Sequence, residues 1–386
     1  MIQLLLAMIY LSFISLGLPD GLLGAAWPTM CPEFNVPLSW AGGISMLISG
    51  CTIISSLMSD RLTHRFGTGK VTAFSVALSA AALIGFSTCG SYWQLLLWAI
   101  PFGLGAGGVD ASLNNYVALH YASRHMSWLH CMWGIGATLG PNIMGFALSG
   151  GQHWTAGYRW VGLVQIALTA VLVLSLPLWK GRQGNAVEEG KEDKPLSLRQ
   201  IFAIPGAREV MVMFFCYCAL EQTAALWASS YLALYKGVPS ETAAFFASMF
   251  FIGITAGRAL NGFLTMRFSD PQLIRMGQCG IAIGIVAMLL PMGKEMSLAG
   301  LILVGLGCAP IYPCVIHSTP DHFGAERSQA LIGVQMASAY IGSCLMPPLF
   351  GLTASRFGVS LLPVFLLAIL ALMVFMHERL IHKCGG

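Results

Sequence analysis

The sequence predicts an all-α integral membrane protein with twelve transmembrane helices in two pseudo-symmetric six-helix bundles. Three observations carry this: the composition, the spacing of the apolar runs, and a charged central stretch with related motifs on either side. Of 386 residues, 56% are hydrophobic and 9% charged, against about 25% charged in a soluble domain. The 20 Lys and Arg and 16 Asp and Glu cluster, leaving long stretches without charge, which excludes a soluble fold. A bilayer core of about 30 Å needs about 20 residues of helix, or about 30 with a short loop, so the chain has room for roughly twelve crossings. The runs are continuous rather than alternating, which argues against a barrel, and the 44 glycines suit helices packed closely in lipid.

Apolar runs place helices near 2–29, 39–58, 70–89, 92–120, 127–150 and 158–179, then near 208–235, 240–266, 273–291, 297–319, 328–354 and 360–377. The first lacks a basic leader and is too long for a signal sequence, so it reads as a retained helix. Residues 180–207, charged from Lys180 to Gln200, read as a cytoplasmic linker joining an N-terminal bundle over 1–179 to a C-terminal bundle over 208–386. The halves echo each other. Ile135, Gly136, Leu139, Pro141 and Gly145 recur 206 residues later as Ile341, Gly342, Leu345, Pro347 and Gly351. Gly103-Leu104-Gly105 recurs 202 later as Gly305-Leu306-Gly307, and Asp20 precedes Glu221 by 201, as a duplicated six-helix unit would produce. With the N-terminus inside, fifteen basic residues fall on the cytoplasmic side and four outside, and Arg258 stays within a span. That asymmetry predicts both termini in the cytoplasm.

Several function classes fall away. Eleven cysteines show no Cys-x-x-Cys and no Cys/His spacing for a metal; most sit in apolar runs and read as small core residues. Gly103-x-Gly105-x-x-Gly108 spells a dinucleotide fingerprint, but no strand precedes it, so it reads as helix-packing glycine. There is no phosphate loop and no legible nucleophile triad, so neither an enzyme nor a cofactor is expected, and transport energy must come from gradients. The net charge of +4 lies in short loops and points to no nucleic acid.

Three acids lie within spans: Asp20, Asp110 and Glu221. Burying an ionised carboxylate there costs at least about 2.5 to 3.5 kcal/mol, so such residues are rare unless used. They read as proton-coupling groups, and a structural ion pair with Arg258 or a permanently neutral acid is the competing account. Asp20 follows Pro19 among Gly17, Gly21 and Gly24, where a helix can kink and line a cavity, or merely shape packing. Arg258 orients a substrate, holds Glu221 or Asp110 ionised, or snorkels to the interface. A small polar ligand needs amide or imidazole hydrogen bonds and a flat ring to stack on. The candidates beside Arg258 are Asn114, Asn115, His130, Trp133, Gln222, Trp227, Asn261, Gln335 and Tyr340, each of which also suits an interhelical contact. His130 could instead carry a proton or serve a gate. His120 and His317 read as interfacial. In the loop after span two, Asp60, Arg61 and Arg65 read as gating charges, with topology setting as the alternative.

Twelve helices as six plus six around a charged linker, with SDRLTHRFGTGK at 59–70, resemble the major facilitator superfamily across the whole chain. That segment is similar to the family's Gly-x-x-x-Asp-Arg-x-Gly-x-Arg-Arg motif, with Asp60 and Arg61 in its acid and base positions and Ser56 where the leading Gly is usual. GLGAGGVDASLNNYV at 103–117 resembles span four of the fucose/proton symporter group, an acid followed four residues later by Asn: here Asp110 and Asn114. Asp20 matches that group's span-one acid, and His130 falls where the group has a polar, sugar-contacting residue. The group has Asn three residues before the span-one acid; this chain has Gly17. The resemblance implies a secondary transporter that moves a small neutral polar solute, of sugar type, across the bacterial inner membrane by proton symport with alternating access. A proton-driven efflux antiporter for drugs or metabolites is the other reading. The expected partners are the small-molecule substrate, protons and the bilayer, for a monomer.

Overall fold

A computed structural model describes residues 2–37, 40–183, 196–238 and 240–384. The helices, in order, are α1 (Ile2–Gly17), α2 (Leu22–Glu33), α3 (Ala41–Phe66), α4 (Thr68–Phe86), α5 (Tyr92–His120), α6 (Ser123–Ser149), α7 (Trp154–Gln183) and α8 (Leu198–Ala203). There follow α9 (Ala207–Leu234), α10 (Ser240–Leu264), α11 (Asp270–Leu289), α12 (Lys294–Cys308), α13 (Ile311–His317), α14 (Thr319–Phe323), α15 (Ala325–Phe357) and α16 (Leu362–Cys384). The pairs α1–α2 and α12–α13 are each one broken span, so the twelve expected crossings are present. Among the described residues, ten of these spans are long and apolar enough to cross a membrane by themselves. α6, which opens on the polar Ser123-Arg124-His125, and α10, which includes the apolar stretch Met249–Leu264, complete the set.

Three expectations change. Span two does not stop at 58: α3 runs on to Phe66, so Asp60, Arg61 and Arg65 lie on a helix and not in a loop. It stops where Gly67 takes a positive φ of 80°, its N–H returning to the Thr63 carbonyl before α4 begins at Thr68. In the segment read as linker, α7 continues to Gln183 and Ser197 starts α8 with a capping box to Gln200; residues 184–195 lie outside the described residues. Among the cysteines, Cys279 is exposed and Cys344 half-buried, because each falls on an outward helix face.

The chain forms two compact units, Met1–Tyr116 with Leu129–Leu196, and Val117–Trp128 with Ser197–Gly386. In the first, α4 lies along α7, and Trp27, Phe86, Tyr92, Trp154 and Tyr158 join one buried cluster. In the second, α9 lies along α15 and α16, and α11 along α12. Outward faces carry exposed apolar side chains such as Phe146, Leu174 and Leu234, as lipid-facing helices require.

The sequence repeat is realised as repeated packing. In the first unit Gly103 lies against the Ile48 carbonyl and Gly105 against the Ser75 carbonyl. In the second, Gly305 lies against the Phe250 carbonyl and Gly307 against the Gly277 carbonyl, so one shift of 202 residues relates all four contacts. Likewise Gly136 of α6 meets the Ile14 carbonyl of α1, and Gly342 of α15 meets the Phe215 carbonyl of α9. A Cβ at any of these positions would collide with backbone, which is why glycine recurs at them. The fingerprint-like glycines of α5 are thus helix contacts.

Candidate functional site

In the first unit, Asp20 stands in the turn between α1 and α2. Pro19 has no N–H to continue the helix, and the chain re-forms through Asp20 N–H to the Gly17 carbonyl at 3.1 Å and Leu22 N–H to the Pro19 carbonyl at 3.1 Å. Gly17 is pressed against the Trp133 carbonyl of α6, where a Cβ would collide with it. The Asn found there in the fucose symporter group would not fit. This approach brings the Trp133 indole to the acid, its Nε1–H donating to Asp20 Oδ2 at 2.9 Å. Asp20 is exposed within a membrane-crossing segment. A carboxylate facing hydrocarbon would be costly there.

Asp110 lies on α5, 4% exposed, one turn before Asn114. Asn114 Nδ2–H donates to Asp110 Oδ1 at 2.8 Å, and Asn114 Oδ1 lies 3.0 Å from His130 Nε2. With the amide N–H turned to the carboxylate, its oxygen faces the imidazole, so His130 Nε2 carries the proton in this arrangement. Phe13 packs edge-on to the His130 ring at 5.4 Å. His130 and Trp133 are three residues apart on one face of α6. One unit thus assembles Asp20, Asp110, Asn114, His130 and Trp133: two carboxyls, an amide, an imidazole and an indole, the groups that bind hydroxyls and exchange protons. Asn115 is buried beside Asn114. Asp60 is buried, its Oδ1 3.7 Å from His64 Nε2, while Arg61 and Arg65 are exposed.

In the second unit, Glu221, Tyr217 and Arg258 form a buried cluster. The Tyr217 hydroxyl, one turn before Glu221 on α9, donates to Glu221 Oε2. Arg258 Nη2 of α10 lies 3.7 Å from Glu221 Oε2 and 3.5 Å from the Tyr217 hydroxyl, and its guanidinium sits 5.9 Å from the Tyr312 ring centre. Arg258 is 3% exposed, so it does not snorkel to an interface. Tyr217 and Tyr312 were missing from the sequence candidates; the i, i+4 spacing of Tyr217 to Glu221 was the available signal. The remaining candidates are spread through the unit. Trp227 Nε1–H donates to the Pro347 carbonyl at 3.0 Å, Gln335 Nε2–H to Thr319 Oγ1 at 3.1 Å, and Gln222 and Tyr340 are half-buried.

Asn261 belongs to a second cluster in this unit, around residues 117–128. Its Nδ2–H donates to Ser127 Oγ at 2.8 Å. Nearby, Ser123 Oγ–H donates to Asp270 Oδ1 at 2.5 Å, and His317 Nδ1 lies 2.6 Å from Asp270 Oδ2. His317 Nε2 lies 3.1 Å from the Tyr121 carbonyl. His317, at the end of its span, ties two elements together. No spacing signals this, since Asp270 and His317 are 47 residues apart. We expect His317→Phe to raise amide hydrogen exchange over 117–128 by about tenfold or more, because charge-assisted bonds of this kind are worth about 1.5 to 3 kcal/mol. Exchange read by mass spectrometry, unchanged there, would remove this role.

The family model described as Major Facilitator Superfamily matches residues 9–293 and 210–382. The chain is 21% identical over 390 residues to Bypass of stop codon protein 6 of Saccharomyces cerevisiae, covering 91% of this chain and 77% of that one. It is 24% identical over 368 residues to the 3-(3-hydroxy-phenyl)propionate transporter of Escherichia coli K12, covering 89% and 86%. Among solved structures it resembles FucP, the E. coli fucose:proton symporter, in the outward conformation, with a TM-score of 0.78, 15% identity and coverage of 97% and 98%. At that identity the likeness speaks to the fold.

Proposed function

Because the chain belongs to the major facilitator superfamily and is a multi-pass membrane transporter, we propose that it carries a small neutral polar solute, of sugar type, by proton-coupled symport with alternating access. The observation that carries this reading is the first-unit constellation. Asp20 sits at a helix break, held by Trp133, and in the same unit Asp110 is tied through Asn114 to His130. In this reading Asp20 and Asp110 take up and release the proton. Asn114, Asn115, His130 and Trp133 meet solute hydroxyls and a ring face from this unit, and Gln222, Trp227, Arg258, Asn261, Gln335 and Tyr340 are the second unit's candidates. Glu221 is held by Arg258 and Tyr217 and serves as a third, more constrained acid. Asp60, Arg61 and Arg65 act as gating charges. The positive-inside asymmetry supports both termini in the cytoplasm, and we take the membrane to be a bacterial inner membrane.

The fold likeness to a fucose:proton symporter supports the sugar class. One observation favours a second reading, proton-driven efflux of amphipathic metabolites or drugs: Phe214, Tyr217 and Tyr312 group around Arg258, with the Phe214 and Tyr312 ring centres 4.7 Å apart. Phe214, Tyr217 and Arg258 are buried in this structure, and the cluster, opened in another state, would suit an aromatic ligand. Purified protein in liposomes loaded with a pH dye separates the two. Neutral sugars added outside should bring protons in; silence across the sugars, with proton release on addition of amphipathic compounds, would favour efflux.

A further inference from the structure

Pro19 removes the N–H that would have bonded the Ser15 carbonyl four residues earlier. In a membrane-crossing segment an orphaned carbonyl must find another donor. It does: Gln165 of α7, 2% exposed, donates from Nε2 to the Ser15 carbonyl at 2.7 Å. The partner comes from a helix 150 residues away in sequence. Beside this bond lies a cavity of about 10 Å³, room for about one water, lined by Ser12, Ser15, Pro19, Ser79 and Gln165 among others. Four of those side chains are polar, enough to hold a water by two to four bonds.

We propose that Gln165 is a positioning residue for Asp20: its amide replaces the N–H that Pro19 lacks, keeps the α1–α2 break open, and so fixes the carboxyl against Trp133. The backbone carries the effect. Ser15 is one turn before Pro19, and Asp20 is the next residue. Without a donor at 165, the Ser15 carbonyl draws on water in the cavity or the turn rewinds, and in either case Asp20 leaves the geometry in which Trp133 Nε1–H reaches it at 2.9 Å. Ser12, Ser79 and Gln165 line the cavity, so the amide also shapes the polar space behind the acid. The inference deepens the reading of Asp20 as a coupling acid and rests on it.

Two measurements on the full-length protein in liposomes separate the inference from that reading. Infrared spectroscopy follows the carboxyl band that Asp20→Asn deletes, and reports on Asp20 whether or not it couples transport. Uptake reports on coupling. In Gln165→Leu, similar in volume but without a donor, we expect the pH midpoint of the Asp20 band to move by about half a unit or more, and accumulation to fall about tenfold. Gln165→Glu donates to the Ser15 carbonyl only while protonated, so it should approach wild type in acid and lose the Asp20 geometry in alkali, where its carboxylate repels the carbonyl oxygen. Pro19→Ala, which returns the missing N–H, should restore the thermal stability of Gln165→Leu without restoring the wild-type Asp20 midpoint. If Gln165→Leu does not fold, the pH dependence of Gln165→Glu decides. An unchanged Asp20 band in Gln165→Leu, a pH-independent Gln165→Glu, or additive effects of Pro19→Ala and Gln165→Leu on stability would each overturn the inference. A shifted band with wild-type accumulation upholds the positioning role and removes Asp20 from coupling.

Discussion

Asp20→Asn should abolish concentrative uptake while leaving exchange and downhill flux within a few-fold of wild type. Moving one charge through 100 mV is worth about 2.3 kcal/mol, which sustains roughly 50-fold accumulation per proton. Without the proton the ratio falls to about one, so this is the largest expected effect on activity. Asparagine is nearly isosteric, and its side-chain oxygen still accepts the Trp133 indole N–H, so packing at the α1–α2 turn is kept and only the titratable proton is lost. Asp110→Asn is the companion. Its amide oxygen can still accept from Asn114 Nδ2, so its local network survives as well. Accumulation of labelled solute in liposomes under an imposed gradient, beside counterflow with internal solute, reads the two fluxes separately. If both variants still concentrate solute, neither acid couples.

The largest expected effect on stability is at Arg258→Met. Side-chain exposure of Arg258 and Glu221 is 3% and 9%, so the substitution leaves a buried carboxylate facing Tyr217 without its cation. Breaking a buried ion pair from one side costs about 3 to 5 kcal/mol, because the remaining charge stays desolvated. Glu221→Leu should cost a similar amount by stranding the guanidinium, whereas the double variant should recover most of the loss, since apolar groups of similar volume replace a buried pair at little net cost. Thermal unfolding in detergent of the four proteins gives the coupling directly. Additive losses would mean that the pair contributes little as a pair. Solute uptake by a stable double variant then shows whether Glu221 and Arg258 also act in transport, or hold α9 to α10.

The fold was legible because lipid imposes strong rules. About twenty apolar residues per crossing, and glycine wherever two helix backbones meet, leave marks that survive in one dimension; hence the spacing of runs and the 202-residue repeat both reappear as helices and as matched glycine–carbonyl contacts. Boundaries were less legible. α3 outlasts its apolar run to Phe66 because charged residues form helix as readily as apolar ones once past the hydrocarbon, and Gly67 decides the end.

The site divides in the same way. Asp20, Asp110, Glu221 and Arg258 stand out in the sequence because a charge within an apolar run is expensive wherever it ends up, and Asp110–Asn114 shows as one helical turn. What the tertiary structure alone decided is which groups meet. Trp133 reaches Asp20 through the close approach at Gly17, Gln165 supplies the bond that Pro19 cannot make, and His317 joins Asp270 to the Tyr121 carbonyl. These partners are 113, 150, 47 and 196 residues apart. A sequence displays the cost of burying a polar group at its own position, but the donor or acceptor that offsets that cost is chosen by which helices pack side by side.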